Sequence, residues 1–203
     1  MNCNTLPQEM AYHSRVRGST TAPAGAIDGG AMKGKAVPNS REKRMRENDF
    51  IVSKTDTKGR ITYGNEIFIE FSGYSEEELL GTQHNVIRHP DMPRGVFKFL
   101  WDNISRGNEV FAYVKNLARD GSYYWVFANV TPDYDSDGNI TGYFSVRRAP
   151  KASSVAIIES VYREMLEIEK RAGPRDACDE SLSYLIGILK EKGVSYEEFI
   201  MAI

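Results

Sequence analysis

Two histidines, two arginines and an aspartate are concentrated in one stretch, "HNVIRHPDMPRGVF", which runs from His84 to Phe97. The stretch could be a metal site, an acid–base pair, a phosphate-binding loop or a stiff structural loop. Arg88 offers a rigid fork of donors that suits a phosphate or a ring carbonyl. His89 and Asp91 flank Pro90, which fixes the local chain direction, and either side chain could bind a ribose or a ring edge.

Structural roles are equally open for these residues, and a metal site is disfavoured. His84 and His89 are five residues apart in a proline-containing loop with no cysteine nearby. Arg88 and Asp91 could form an ion pair, and Asp91 could cap the turn before the next helix. Without further context the stretch is a candidate binding loop and no more.

A second candidate is Asn116, at the end of an alternating strand pattern. Strand periodicity places Asn116 on the same face as three small apolar residues: Val110, Ala112 and Val114. The opposite face carries Phe111, Tyr113 and Lys115. The next strand again puts small residues on one face, at Val126, Ala128 and Val130. Small apolar walls with a single amide are typical of a pocket for a flat cofactor.

The surrounding pattern predicts the elements that would position these groups. Two β-branched runs flank the turn at 56–59, and three further strands are separated by "ARDGS" and "PDYDSDGN". Between the two sets lie short helices, with Asn65 as a candidate helix cap and Ser75 and Glu78 as a capping box. The predicted fold is therefore α+β, a five-stranded antiparallel sheet with short helices on one face, plus C-terminal helices.

Composition predicts three segments. Residues 1–46 are rich in Gly, Ala, Ser, Thr and Pro, and we expect them to be disordered. Residues 47–150 form the compact domain, and 151–203 form a C-terminal helical segment with a stop at Gly173-Pro174. Apolar residues from Val155 to Ile168 share one helix face, which either contacts a partner protein or packs on its own domain.

Several classes of function are disfavoured. The net charge of −2 argues against nucleic acid, and no apolar run is long enough to insert directly into a membrane. No signal peptide is visible, so we expect a cytoplasmic protein, with Cys3 and Cys178 as free thiols. No phosphate loop, nucleophile elbow or Cys/His pair appears, so an enzyme is not expected.

The stretches "TDTKGRITYGNEIFIEFSGYSEEELLG", "HNVIRHPDMPRGVFKFLWDNISRG" and "VKNLARDGSYYWVFANVTP" resemble PAS domains of the aerotaxis receptor and bipartite energy-taxis type. The resemblance implies a PAS fold with non-covalently bound FAD. It also implies a redox sensor that signals to a protein partner, such as a chemoreceptor signalling protein, or acts as a homodimer. We expect the chain to be similar to the short stand-alone PAS partner of bipartite systems.

The resemblance also implies cofactor-binding residues, which match Asn65, Arg88, His89, Asp91 and Asn116 in this sequence. One position departs from the family, because Val110 stands where a tryptophan often stacks near the flavin. Two alternatives stay open: a haem-binding PAS gas sensor using His84 or His89, and a cofactor-free PAS interaction module. A photosensor with a cysteinyl-flavin adduct is excluded, since no cysteine lies between residues 4 and 177.

Overall fold

The computed structural model describes residues 36–203, which contain five strands and five α-helices. The elements in chain order are β1 (Ile51–Asp56), β2 (Ile61–Gly64), α1 (Glu66–Ser72), α2 (Glu76–Leu79), a 3-10 turn (His84–Ile87), α3 (Arg94–Ile104), β3 (Val110–Leu117), β4 (Tyr123–Tyr134), β5 (Ile140–Arg148), α4 (Ala152–Lys192) and α5 (Tyr196–Ala202).

The five strands form one antiparallel sheet in the order β2-β1-β5-β4-β3. Strand β5 pairs with β1 on one side and with β4 on the other, so it joins the N-terminal hairpin to the C-terminal strands. The turns at Gly121 and Gly138 adopt positive φ angles of 83°, which glycine accepts without strain. The predicted fold class, a five-stranded antiparallel sheet with short helices and C-terminal helices, is confirmed.

The short helices begin and end where the cap residues predict. The Ser75 side chain accepts from the Glu78 backbone N–H, and the Glu78 carboxylate accepts from the Ser75 N–H, so the predicted capping box is present. Gly73 ends α1 in the left-handed conformation, with φ of 72°. These local signals hold α1 and α2 in a fixed position over the sheet.

The two faces of the sheet are covered by different helices. We call the face that packs against α1, α2, the 3-10 turn and part of α3 the inner face; its residues include Ile51, Val126 and Ala128. The opposite, outer face is covered by α4 and α5, and its buried residues are Tyr113, Trp125 and Phe127. Strand alternation places the members of each face as predicted.

The helix after Pro150 packs on its own domain. Ile158, Tyr162 and Met165 of α4 are buried against the outer face, and the Tyr162 hydroxyl donates to the Tyr113 carbonyl at 2.9 Å. The apolar helix face from Val155 to Ile168 therefore packs on its own domain, the second of the two predicted options. Gly173 has non-helical angles, with φ of 75° and ψ of 175°, so the predicted stop is a kink after which α4 resumes.

One sequence-based expectation needs correction. Residues 36–46 fall in the segment predicted to be disordered, yet Asn39 N–H donates to the Gly121 carbonyl and residues 41–43 pair with Tyr123. Backbone pairing with the free side of β4 fixes them, which composition does not reveal. Residues 1–35 of that prediction lie outside the described residues. Cys178 is buried and Cys3 lies outside the described residues, so the expectation of two free thiols stays a prediction.

Candidate functional site

Both the oxygen and the nitrogen of the Asn65 side-chain amide form hydrogen bonds with the backbone. Its Oδ1 accepts from the N–H groups of Phe68 and Val52, both at 3.0 Å, and its Nδ2 donates to the Phe50 carbonyl at 2.7 Å. The residue therefore caps α1 and ties that helix to β1. Asn65 therefore has the helix-capping role that the sequence suggested, and its amide has little hydrogen-bonding capacity left for a ligand.

Arg88 lies at the edge of the sheet, beside β3. Its backbone forms an antiparallel bridge with Asn116, and its guanidinium Nη2 donates to the Met92 carbonyl at 3.0 Å. The guanidinium lies over the Phe97 ring, 4.2 Å from its centroid. Burial lowers the pKa of Arg88 to about 10, opposed by Glu169, so the side chain is charged at neutral pH.

His89 and Asp91 lie on the outer side of the same edge. The His89 Nδ1 accepts from the Asp91 backbone N–H at 3.1 Å, and the imidazole meets the Tyr123 ring edge-on at 6.0 Å. The Asp91 carboxylate pairs with the Lys115 ammonium at 2.8 Å. Because Tyr123 and Lys115 belong to the outer face, these two loop residues face away from the small-residue face.

Asn116 is the one predicted site residue that lies on the inner face. It is buried, with 3% of its surface exposed, and its Nδ2 has no hydrogen-bond partner. Asn116 and Arg88 meet through their backbones, while Asn65 is bound at β1 and His89 and Asp91 lie on the outer side. The structure thus does not gather the five predicted residues around one cavity.

A buried polar cluster that sequence reasoning missed occupies the inner face near β1 and β5. The Arg147 Nη2 donates to the Ser53 Oγ at 2.7 Å and lies 2.8 Å from the His84 Nε2. Arginine only donates, so this His84 nitrogen accepts. Burial, together with the Arg147 charge, lowers the pKa of His84 to about 3, and the imidazole is neutral at physiological pH.

Further unpartnered polar atoms lie on the same face of the sheet. The Arg147 Nη1, the Tyr124 hydroxyl and the Ser145 hydroxyl are buried without a hydrogen-bond partner, as is the Asn116 Nδ2. Their strands are neighbours, and the register places all four residues on the inner face. Burial also raises the pKa of Tyr124, so its hydroxyl keeps its proton. Such groups are rare in a closed core and mark a place where a polar ligand would be satisfied.

The sequence carries a signal for this cluster that is visible only once the sheet order is known. Tyr143, Ser145 and Arg147 alternate along β5, so an arginine occupies a core-facing position of a central strand. Charged residues are rarely buried at such positions unless they are paired. The sequence suggested His84 only as a metal or haem ligand, and its pairing with Arg147 spans 63 positions of the chain.

Two further features of the described residues bear on other functions. Within residues 36–203 no group of three or more His, Cys, Asp or Glu side chains could hold a metal ion. None of the helices in that range combines the length and the apolar composition needed to cross a membrane. A separate groove lies between the two halves of α4, lined by Ile168, Arg171, Asp176 and Tyr184, and it contains none of the predicted cofactor residues.

Comparison with known proteins agrees with this architecture. Residues 61–147 match the family described as PAS fold. The aerotaxis receptor of Escherichia coli strain K12 is 36% identical over 121 residues, which cover 60% of this chain and 24% of the receptor. A nitrogen fixation regulatory protein of Klebsiella pneumoniae is 29% identical over 97 residues, 48% of this chain and 20% of that protein.

The matched region thus spans about a quarter or less of either relative's length. Among solved structures, a light-oxygen-voltage domain studied with a flavin analogue superimposes with a TM-score of 0.48 at 21% identity. That superposition covers 57% of this chain and 87% of the other. Together, the family match at residues 61–147 and the five-stranded sheet show that this part of the chain has the PAS fold.

Proposed function

We propose that this chain is a cytoplasmic redox sensor that binds FAD on the inner face and signals through protein contacts to chemotaxis machinery. The observation that supports this proposal most directly is the set of buried, unpartnered polar groups on that face: Asn116, Tyr124, Ser145 and Arg147. The similarity to an aerotaxis receptor supports the choice of signalling system.

The chemistry of the inner face fits a flavin. Ala112, Val126 and Ala128 are small and buried, and they provide an apolar surface for a flat ring. Asn116 and Arg147 offer N–H donors, and a flavin ring carries oxygen and nitrogen acceptors along one edge. When bound, the flavin would supply a centre that accepts and returns electrons. Val110 is 4% exposed and leaves the tryptophan position of the family without an aromatic ring.

The other predicted residues have supporting roles in this proposal. Arg88 lies at the β3 edge and holds Asn116 through its backbone bridge, while His89 and Asp91 contact the outer face beside it. Asn65 fixes α1 against β1, so that the helix covering the site keeps its position. Of the five, Asn116 is the residue that would contact the ring.

Contacts of the loop support a route for the signal. Asn116 is joined to Arg88, and Arg88 lies near enough to Glu169 of α4 for the carboxylate to raise its pKa. The Glu169 Oε1 in turn accepts from the Gly95 N–H at 3.0 Å, at the first turn of α3. A change in hydrogen bonding at Asn116 would therefore shift the populations of two arrangements of α3 and α4.

A cofactor-free interaction module is the second candidate. It is favoured by one observation: Arg88, His89 and Asp91 all have partners within the protein. In that case the loop is structural and the protein works through its surface alone. Haem is the less favoured cofactor, because the His84 Nε2 that would bind iron already accepts from Arg147.

The test is an absorption spectrum of the freshly purified protein before and after dithionite, followed by identification of any released cofactor. Bound flavin should give paired near-ultraviolet and blue bands that bleach on reduction, and the released compound should be FAD. A sharp Soret band would instead identify haem. A featureless spectrum, unchanged after incubation with FAD, would refute flavin binding and favour the interaction module.

The Asn116→Ala variant sharpens the assignment. Loss of its amide should weaken FAD binding by about tenfold, the effect of one hydrogen bond of about 1–1.5 kcal/mol. Asn129→Ala is the matched control, because Asn129 lies on the opposite face of the neighbouring strand and its Nδ2 donates to Glu109. Equal FAD affinity in both variants would remove Asn116 from the site.

A further inference from the structure

Arg147 is a buried cation that has no counter-ion among the described residues. Only 5% of its surface is exposed, and its two hydrogen-bond partners, the Ser53 hydroxyl and the His84 imidazole, are both neutral. Its third neighbour is the Phe68 ring, with the guanidinium 5.4 Å from the ring centroid. Among residues 36–203, no carboxylate lies within ion-pair distance of Arg147.

The protein interior leaves this charge uncompensated. Burial lowers the pKa of Arg147 only to about 10, so the guanidinium is charged at neutral pH. The low pKa of His84 keeps that imidazole neutral and available only as an acceptor. Structural arginines in cores are normally paired with a carboxylate, because an isolated buried charge is strongly destabilising.

Arg147 has one nitrogen that is available to a ligand on the inner face. Its Nη1 is buried without a partner, and so are the hydroxyls of Tyr124 and Ser145 and the Asn116 Nδ2. Tyr124 and Arg147 interact electrostatically, which places the phenol within range of the guanidinium. The inner face therefore offers a positive charge and three further donor groups, and no carboxylate of residues 36–203 pairs with that charge.

We propose that Arg147 pairs with a negatively charged edge of the ligand bound on the inner face, and that it selects ligands carrying negative charge at that edge. For the identity of the ligand this inference rests on the proposed function. The recognised chemistry is a planar group with oxygen or nitrogen acceptors and a negative charge. A reduced flavin ring and the carboxylate of a small organic acid both meet that description.

With flavin as ligand, Arg147 acts on the reduction equilibrium. Full reduction takes up two electrons with one or two protons, and the one-proton product carries a negative charge. A fixed guanidinium binds that product more tightly than the neutral oxidised ring. For a two-electron couple, each tenfold preference of the protein for reduced over oxidised flavin raises the midpoint potential by 29.6 mV.

The experiment compares the FAD-loaded wild-type protein with Arg147→Met, Arg147→Lys and Arg148→Met. Met has a similar length and no charge, and removing an unpaired buried charge should not unfold the domain. Arg148 is the control, since it is the next residue of β5, exposed on the outer face, with its guanidinium 5.1 Å from the centroid of the Phe127 ring. Arg147→Lys keeps the charge, so it tests the charge if the Met variant is unstable.

Arg147→Met should bind oxidised FAD within a few-fold of wild type and reduced FAD about ten- to a hundredfold more weakly, which lowers the midpoint potential by about 30–60 mV. Arg147→Lys should recover most of that shift, and Arg148→Met should show none. If wild type and Arg147→Met bind FAD with the same potential, the proposed role of Arg147 is wrong while the proposed function stands.

A second arm covers a protein that binds no flavin. The probes are sodium malate and sodium sulfate, each added to the cofactor-free protein in a thermal unfolding assay, with sodium chloride at equal ionic strength as reference. Stabilisation of wild type and Arg148→Met but not of Arg147→Met supports the anion site and refutes the flavin proposal. No response to FAD, malate or sulfate would overturn both proposals.

Discussion

Glu169 of α4 forms a hydrogen bond to the start of α3, and its removal tests that connection. The Glu169 Oε1 accepts from the buried Gly95 N–H at 3.0 Å and from the Ser181 hydroxyl at 2.8 Å. Gly95 lies in the first turn of α3, where backbone N–H groups have no partner within the helix. A carboxylate from α4 therefore caps α3 across the domain.

The size of the effect follows from these contacts. Glu169→Ala leaves the buried Gly95 N–H without an acceptor, which costs about 1–3 kcal/mol, and removes a favourable charge at a helix N-terminus worth about 0.3–1 kcal/mol. A total of about 2–3 kcal/mol corresponds to a fall in Tm of about 4–12 °C for a domain of this size. Glu169→Gln keeps an oxygen acceptor, so its Tm should fall by only about 1–4 °C.

Circular dichroism during heating measures both variants, and urea unfolding gives the free energies. Glu167→Ala is the control, since Glu167 lies on the same helix and is exposed. We expect the order Glu167→Ala, Glu169→Gln, Glu169→Ala from most to least stable. If Glu169→Ala melts within about 1 °C of Glu167→Ala, α4 does not cap α3 and the signal route through Glu169 has no basis.

Two further predictions concern charges around the sheet. Asp91→Ala should lower the free energy of unfolding by about 1–2 kcal/mol, because the Lys115 side chain is 11% exposed and would lose its carboxylate; urea unfolding should show recovery in the Asp91→Ala/Lys115→Met double variant, and no recovery would contradict the pairing. Because His84 is neutral when folded, with a pKa of about 3 against an ordinary 6.5, the unfolded chain binds the extra proton below pH 6.5. Stability should therefore fall as the pH falls from 6.5 towards 3, by at most about 1.4 kcal/mol per pH unit. The slope between pH 7 and 5 should be smaller in His84→Asn, and equal slopes would show that His84 is not the group responsible.

Local signals predicted most of the fold. Asp-Gly turns and alternating strands located β3, β4 and β5, and the Ser75/Glu78 box marked the start of α2. Each of these signals acts within a few residues, so one sequence contains all of its information. Gly173 was also identified locally, although the structure shows a kink there instead of a helix end.

The candidate site was predicted less well, because its members come together only through the sheet. Alternation placed Asn116 on the inner face, yet nothing local shows that β5 lies between β1 and β4 and brings Arg147 to Ser53 and His84. His89 and Asp91 are a different case. Their residue types suggested a ligand, but the loop crosses the edge of β3 and turns them to the outer face. There Asp91 pairs with Lys115, and the His89 ring contacts the Tyr123 ring.

The cover that α4 and α5 provide for the outer face has a consequence for how this protein should be divided. The matched family region ends at residue 147, but the aromatic rings of Tyr113, Trp125 and Phe127 are kept from water by helices that lie beyond it. A fragment cut at the end of the matched region would expose a contiguous aromatic surface, which favours aggregation. Any fragment of this chain made for study should therefore include α4 and α5.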